Sequence, residues 1–160
     1  MDDWVPVMGF PDYSVNSLGQ VRRDSTGRIL QVKVNQYGVP FVGMMRDWKQ
    51  CQRSLALIVA RAFLPERLEN FDTPINLDGN RFNCAADNLM WRPRNFAVKY
   101  NQQFKYPPER SINTPVRAVQ TKEVSRDSFD AATRYGLLET DIVQSIEYNT
   151  VTWPTYQRFE

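Results

Sequence analysis

Histidine is absent from all 160 residues of this chain. Without an imidazole, His general-base catalysis, His metal ligation and Ser-His or Cys-His nucleophile pairs are all excluded. Carboxylate and lysine chemistry stay open. The two cysteines, Cys51 and Cys84, stand far apart with no CxxC spacing, a pattern of free thiols rather than of a zinc site. A polar run, Asp78-Gly79-Asn80, reads as a turn, and Asn88 reads as an amide that ties a loop. The other chemically suggestive set is basic. Arg22, Arg23, Arg28 and Lys33 precede a second group, Arg92, Arg94, Lys99 and Lys105, and each of these can neutralise a phosphate. Thr140, Gln144 and Ser145 have side chains suited to reading a nucleic-acid groove.

Charge qualifies that reading. The net charge is only +2, so no overall basic signature marks the chain as nucleic-acid-binding. The distribution is uneven: residues 96–113 carry three basic and one acidic side chain, whereas residues 114–160 carry five basic and seven acidic. Asp127, Asp130, Glu139, Asp141 and Glu147 would repel phosphate unless turned away from it. No apolar run approaches the roughly 20 residues of a membrane span. The start, Met1-Asp2-Asp3-Trp4, lacks the apolar core of a secretory signal. The expectation is a chain with no membrane partner and no cofactor.

The elements that would position these side chains follow from period and punctuation. Tyr13-Ser14-Val15 and Gln20-Val21-Arg22-Arg23 flank the turn-rich Asn16-Ser17-Leu18-Gly19. Arg28 to Val34 alternates like one half-buried strand. Val39-Pro40-Phe41-Val42 follows a turn at Asn35-Gln36-Tyr37-Gly38, and Pro40 argues for an edge strand. Leu55, Ile58, Val59, Ala62 and Phe63 have helical spacing, with Ser54 as N-cap and Pro65 beyond the end. Thr73 to Asn76 reads as a strand entering the Asp-Gly turn, and a second helix begins near Arg94. Residues 99–113, with Pro107-Pro108, read as an extended linker whose Tyr100, Phe104 and Tyr106 either pack into a groove or, the favoured reading, anchor it to the core. Val116 to Val119 is a strand. Ser128 caps a helix that Gly136 closes, and Thr140 to Ile146 forms another, so the two make a helix-turn-helix. Val151-Thr152-Trp153 returns as a strand to the start of that module.

Three of these stretches resemble one modular family, the phage HNH homing endonucleases. Trp4-Val5-Pro6-Val7-Met8-Gly9-Phe10 with Tyr13 to Arg22 is similar to the nuclease-associated module that opens many of them. Leu57 to Pro65, Ile75 to Asn80, Asn83 and Asn88-Leu89-Met90-Trp91 resemble the HNH segment. Ser128 to Ile146 is similar to the C-terminal intron-endonuclease repeat. The resemblance implies an α+β fold: a small N-terminal antiparallel sheet over 1–50, a degenerate ββα (HNH) unit over 51–98, a basic linker over 99–113 and a helix-turn-helix module over 114–160.

The resemblance also implies a site, and here the chain departs from it. An HNH nuclease holds a divalent metal between a hairpin and a helix, beside a histidine base. The base position matches Leu77, and a second family histidine matches Ala56. Asn76 and Asn95 match ligand positions, but two neutral amides hold Mg2+ weakly. The implied reading is a catalytically inactive relative that binds double-stranded DNA, phage-encoded and acting in the host cytoplasm. Two others stand beside it: a protein–protein module that modulates a host or phage enzyme, and a residual metal-dependent nickase that uses Asp78.

Overall fold

The structure, a computed structural model, describes residues 3–160. The backbone divides into two compact units. The first holds the chain to Asn76 and Asn80–Trp91; the second holds Leu77–Gly79 and Arg92–Glu160.

In the first unit, four short strands form one antiparallel sheet in sequence order: β1 (Val5–Val7), β2 (Phe10–Val15), β3 (Val21–Arg23) and β4 (Arg28–Ile29). The β2–β3 turn is fixed by the buried Asn16, whose Oδ1 accepts from the Gln20 amide at 2.8 Å. Gly19 sits at φ +89°, and a Cβ there would lie 3.0 Å from the Cys84 carbonyl oxygen, so only glycine fits. The strand expected over 28–34 does not run through. It stops at Ile29, and β5 (Lys33–Val34) belongs to another sheet, with β6 (Pro40–Arg46) and β7 (Lys49–Ser54). The alternation in sequence is therefore two dipeptide strands separated by three residues outside either sheet. Nor is the Pro40 strand an edge. β6 lies between β5 and β7, and Pro40 is tolerated because it is the first residue of its strand.

Helix α1 (Leu55–Phe63) begins where expected: Ser54 Oγ accepts from the Leu57 amide. Its buried face, Leu55, Ile58 and Val59, joins Val7, Phe10, Tyr13, Val15, Val21, Val42 and Met44 in one core. β8 (Thr73–Asn76) pairs with β9 (Leu89–Arg92).

The second unit is built on α2 (Arg94–Gln103). This helix overruns the expected linker, because Tyr100 is fully buried and its hydroxyl donates to the Leu77 carbonyl at 2.6 Å. The extended stretch thus starts past Gln103 rather than at residue 99. Trp153, Phe96, Tyr100, Phe104 and Phe129 form a continuous run of ring contacts at centroid separations of 5.4–6.1 Å. Tyr100 and Phe104 anchor as expected, whereas Tyr106 is exposed. Gly79, at φ +76°, lies beneath the Phe104 ring, where a Cβ would come within 2.5 Å. Gly79→Ala is expected to cost about 2–3 kcal/mol in urea unfolding, from left-handed strain and overpacking together.

β10 (Val116–Arg117) and β11 (Val124–Ser125) form a short antiparallel pair. α3 (Ser128–Tyr135) and α4 (Glu139–Tyr148) follow, joined through Gly136 at φ +63°. The α3 cap is Asp127 rather than Ser128: its carboxylate accepts from the Asp130 amide at 2.7 Å. Ser128 Oγ instead accepts from the Ile112 amide and donates to Glu139. The segment that returns to β10 is not 151–153 but the stretch around Phe159, which bridges Ala118 while Arg117 and Glu160 exchange backbone hydrogen bonds.

Candidate nucleic-acid interface

On the first unit, β3 and β4 set Arg23 directly opposite Arg28, and both are exposed. Like charges opposed across strands destabilise the pair unless an anion lies between or near them. Lys33 is also exposed. Arg22 is less available. Its guanidinium stacks 4.2 Å above the Trp4 ring and its Nε lies 3.4 Å from Asp24 Oδ1. The sequence reading missed a further basic group. Arg46 and Arg53 hold their guanidinium carbons 4.9 and 5.4 Å from the Phe10 ring centroid, and Arg53 and Arg61 line a shallow recess with Met8 and Leu57. Only the fold brings these strands and α1 to one ring. The one signal in sequence was the cationic pair Arg46 and Lys49 bracketing a two-residue turn.

On the second unit, Arg94, Lys99 and Lys105 are exposed on α2 or just beyond it. Lys99 and Thr140, far apart in sequence, line the same recess of about 290 Å3 with Gln102, Gln103 and Tyr106. Gln103 fixes the wall: Nε2 donates to the Leu137 carbonyl at 3.2 Å and Oε1 accepts from the Glu139 amide at 3.0 Å. Gln144 is exposed on α4.

Two expected contacts are turned inward. Arg92 is buried, its Nε donating to the Gly136 carbonyl at 3.0 Å and its Nη2 to the Tyr135 carbonyl at 2.9 Å. It satisfies carbonyls that the end of α3 leaves open. Burial lowers its pKa to about 10, so it is still a cation at neutral pH. Ser145 is buried too; its Oγ donates to the Thr150 carbonyl at 2.6 Å and accepts from the Phe159 amide.

The acidic residues of 114–160 are engaged within the unit. Glu123 accepts from the Tyr135 hydroxyl at 2.5 Å. Asp127 caps α3, and Asp130 takes the Arg126 amide and lies 3.5 Å from Arg134. The Arg126 backbone bond, with Arg134 and Arg126 nearby, holds the Asp130 carboxyl below the usual carboxylate range. Glu139 is buried on Ser128. Glu147 pairs with Arg110 and Glu160 with Arg117. Burial raises the Asp141 carboxyl, opposed by the charge of Lys99. Asp130, Glu147 and Glu160 thus pair with arginines of the same unit, while Glu123, Asp127 and Glu139 are held by neutral donors.

At the positions that the resemblance matches to a nuclease site, the side-chain amides bond to the backbone. Asn76 and Asn88 each donate their side-chain amide to the Asn83 carbonyl, at 3.0 and 2.9 Å. Leu77 is half-buried, and its carbonyl carries the Tyr100 hydroxyl bond. Burial, with the Asp78 charge adding to it, pushes that hydroxyl well above the usual tyrosine range. Asn95 is exposed and its Oδ1 accepts from the Phe96 amide. Ala56 packs against the core of the first unit. Among the described residues, no three His, Cys, Asp or Glu gather as a metal site. Asn76 and Asn88 spend their amide nitrogens, and Asn95 its amide oxygen, on the backbone, and neutral amides alone hold Mg2+ weakly.

Residues 2–44 match the NUMOD4 motif. The fold over 99% of the chain matches 97% of a solved structure described as "DNA binding and cleavage by the HNH homing endonuclease I-HmuI", with a TM-score of 0.58 at 17% sequence identity. No curated protein matches the chain in sequence. The α+β architecture thus matches the fold of that homing endonuclease, and the motif spans the N-terminal sheet, β5 and most of β6. Among the described residues no helix is long and apolar enough to cross a membrane.

Proposed function

We propose that this chain binds double-stranded DNA and does not cut it, a homing-endonuclease fold kept for docking after its catalytic base was lost. The observation that carries the reading is the contrast between its two residue sets. The cationic side chains Arg23, Arg28, Lys33, Arg94, Lys99 and Lys105 are all exposed. The matched nuclease positions hold a leucine and backbone-bonded amides. Thr140 and Gln144 on α4 are the candidate groove-facing residues. On this reading the protein acts by occupying DNA, as a regulator, and its resemblance to phage enzymes supports a phage-encoded protein acting in the host cytoplasm.

Binding is expected to be electrostatic. Log K for an arbitrary duplex should fall with log salt with a slope of about −3 to −5 if most of the six exposed cations each meet a phosphate. Arg94→Ala and Lys99→Ala should each make the slope shallower by about 0.9. Absence of any duplex binding at low salt would overturn the proposal.

A further inference from the structure

The β6–β7 hairpin ends in Arg46-Asp47-Trp48-Lys49, with Arg46 and Lys49 paired across the strands. Both central residues have positive φ, 52° for Asp47 and 64° for Trp48. That is the signature of a type I′ turn, whose favoured sequences are Asn-Gly, Asp-Gly and Gly-Gly. Trp48 stands where glycine is preferred, so it holds a bulky side chain in strained left-handed backbone. It gains nothing from burial in return, for it is 98% exposed. Strain of this kind, held by surrounding structure, is a pointer to function.

The surroundings hold the tip in place. The Met45 amide donates to the buried Tyr13 hydroxyl at 2.9 Å. Arg46 lies over the Phe10 ring and donates to the Gly9 carbonyl at 3.4 Å. The indole is therefore carried on an anchored arm, with Arg46 held back over Phe10 and Lys49 exposed beside the turn. Aromatic faces stack on bases while flanking Arg and Lys meet phosphates, and apolar wedges enter opened base steps in this way. The immediate neighbours Arg46, Asp47, Lys49 and Gln50 are polar, so the tip offers a lipid surface one indole and a carboxylate that anionic headgroups repel.

We propose that Trp48 is a wedge that stacks at an opened base step of duplex DNA, with Lys49 facing the adjoining phosphate and Arg46 bracing the turn. The inference rests on the DNA-binding reading above and adds how the duplex is engaged. The test uses the full chain and two duplexes of one sequence, one of them carrying a single mismatch. The wild type should bind the mismatched duplex about tenfold more tightly, because its step is already partly unstacked. Trp48→Gly should bind both equally, with an unchanged salt slope, and should melt no lower than the wild type, since glycine suits the turn. Equal binding by the wild type, or a preference that survives in Trp48→Gly, would overturn the wedge. So would a blue shift of tryptophan emission on anionic phospholipid vesicles that Trp48→Gly abolishes, which would make the tip a membrane contact. If the wild type binds neither duplex at low salt, the DNA-binding reading itself fails and the wedge fails with it.

Discussion

Supercoiled plasmid incubated with the protein and Mg2+ or Mn2+ is expected to stay supercoiled. A positioned general base contributes roughly 10²- to 10⁴-fold to such reactions, and Leu77 has no lone pair with which to supply it. The deficit goes beyond one residue. The Asn76 amide nitrogen is committed to the Asn83 carbonyl at 3.0 Å. An aspartate there would set a carboxylate against that carbonyl, so a charged ligand cannot simply be restored. Leu77→His alone should therefore leave the plasmid intact as well. Nicking by the wild type that disappears in Asp78→Ala would overturn this expectation and identify Asp78 as a base.

Arg92→Ala is expected to cost roughly 3 kcal/mol in urea unfolding. Each hydrogen bond from a charged donor contributes about 1.5–3 kcal/mol, and Arg92 gives two to the end of α3. Relief of the cost of burying the guanidinium offsets part of the sum. Arg92→Lys should recover only a fraction, because one ammonium lacks the planar fork that spans two carbonyls. The salt slope of DNA binding should be the same for Arg92→Ala as for wild type, measured where both are folded. A shallower slope would return Arg92 to the interface.

Local patterns in the sequence located most elements. The Ser54 cap, the helical spacing from Leu55 to Phe63, the Asp-Gly turn and the Gly136 stop all depend on neighbouring residues, and all stand in the structure. What failed was long-range. Arg92 lies in Arg92-Pro93-Arg94, which looks like one basic surface patch; only the carbonyls of Tyr135 and Gly136, more than forty residues away, separate the buried arginine from the exposed one. Ser145 looks like a groove-facing hydroxyl until Phe159 returns to it. The arginine partner of Glu147, Arg110, stands 37 residues away and could not be read from local pattern. Pro40 suggested an edge because the rule concerns strand interiors, and the proline is at a strand start. The match of Leu77 and Ala56 to histidine positions rests on the resemblance alone; the structure itself gives a half-buried Leu77 and an Ala56 packed against the core of the first unit.

The assignment of Leu77–Gly79 to the second unit bears on how this chain can be taken apart. Those residues are encoded between β8 and β9, yet the Leu77 carbonyl receives the Tyr100 hydroxyl and Gly79 underlies the Phe104 ring. A gene fragment beginning at Arg92 would leave a buried phenol without its acceptor and an aromatic ring without its floor. Dissection at that boundary should give an insoluble C-terminal piece, rescued when the missing loop is supplied in trans by the complementary fragment. Exchange of such units by recombination between relatives would have to carry the loop and the helix together, which makes the apparent modules of the sequence poor guides to where this protein can be recombined.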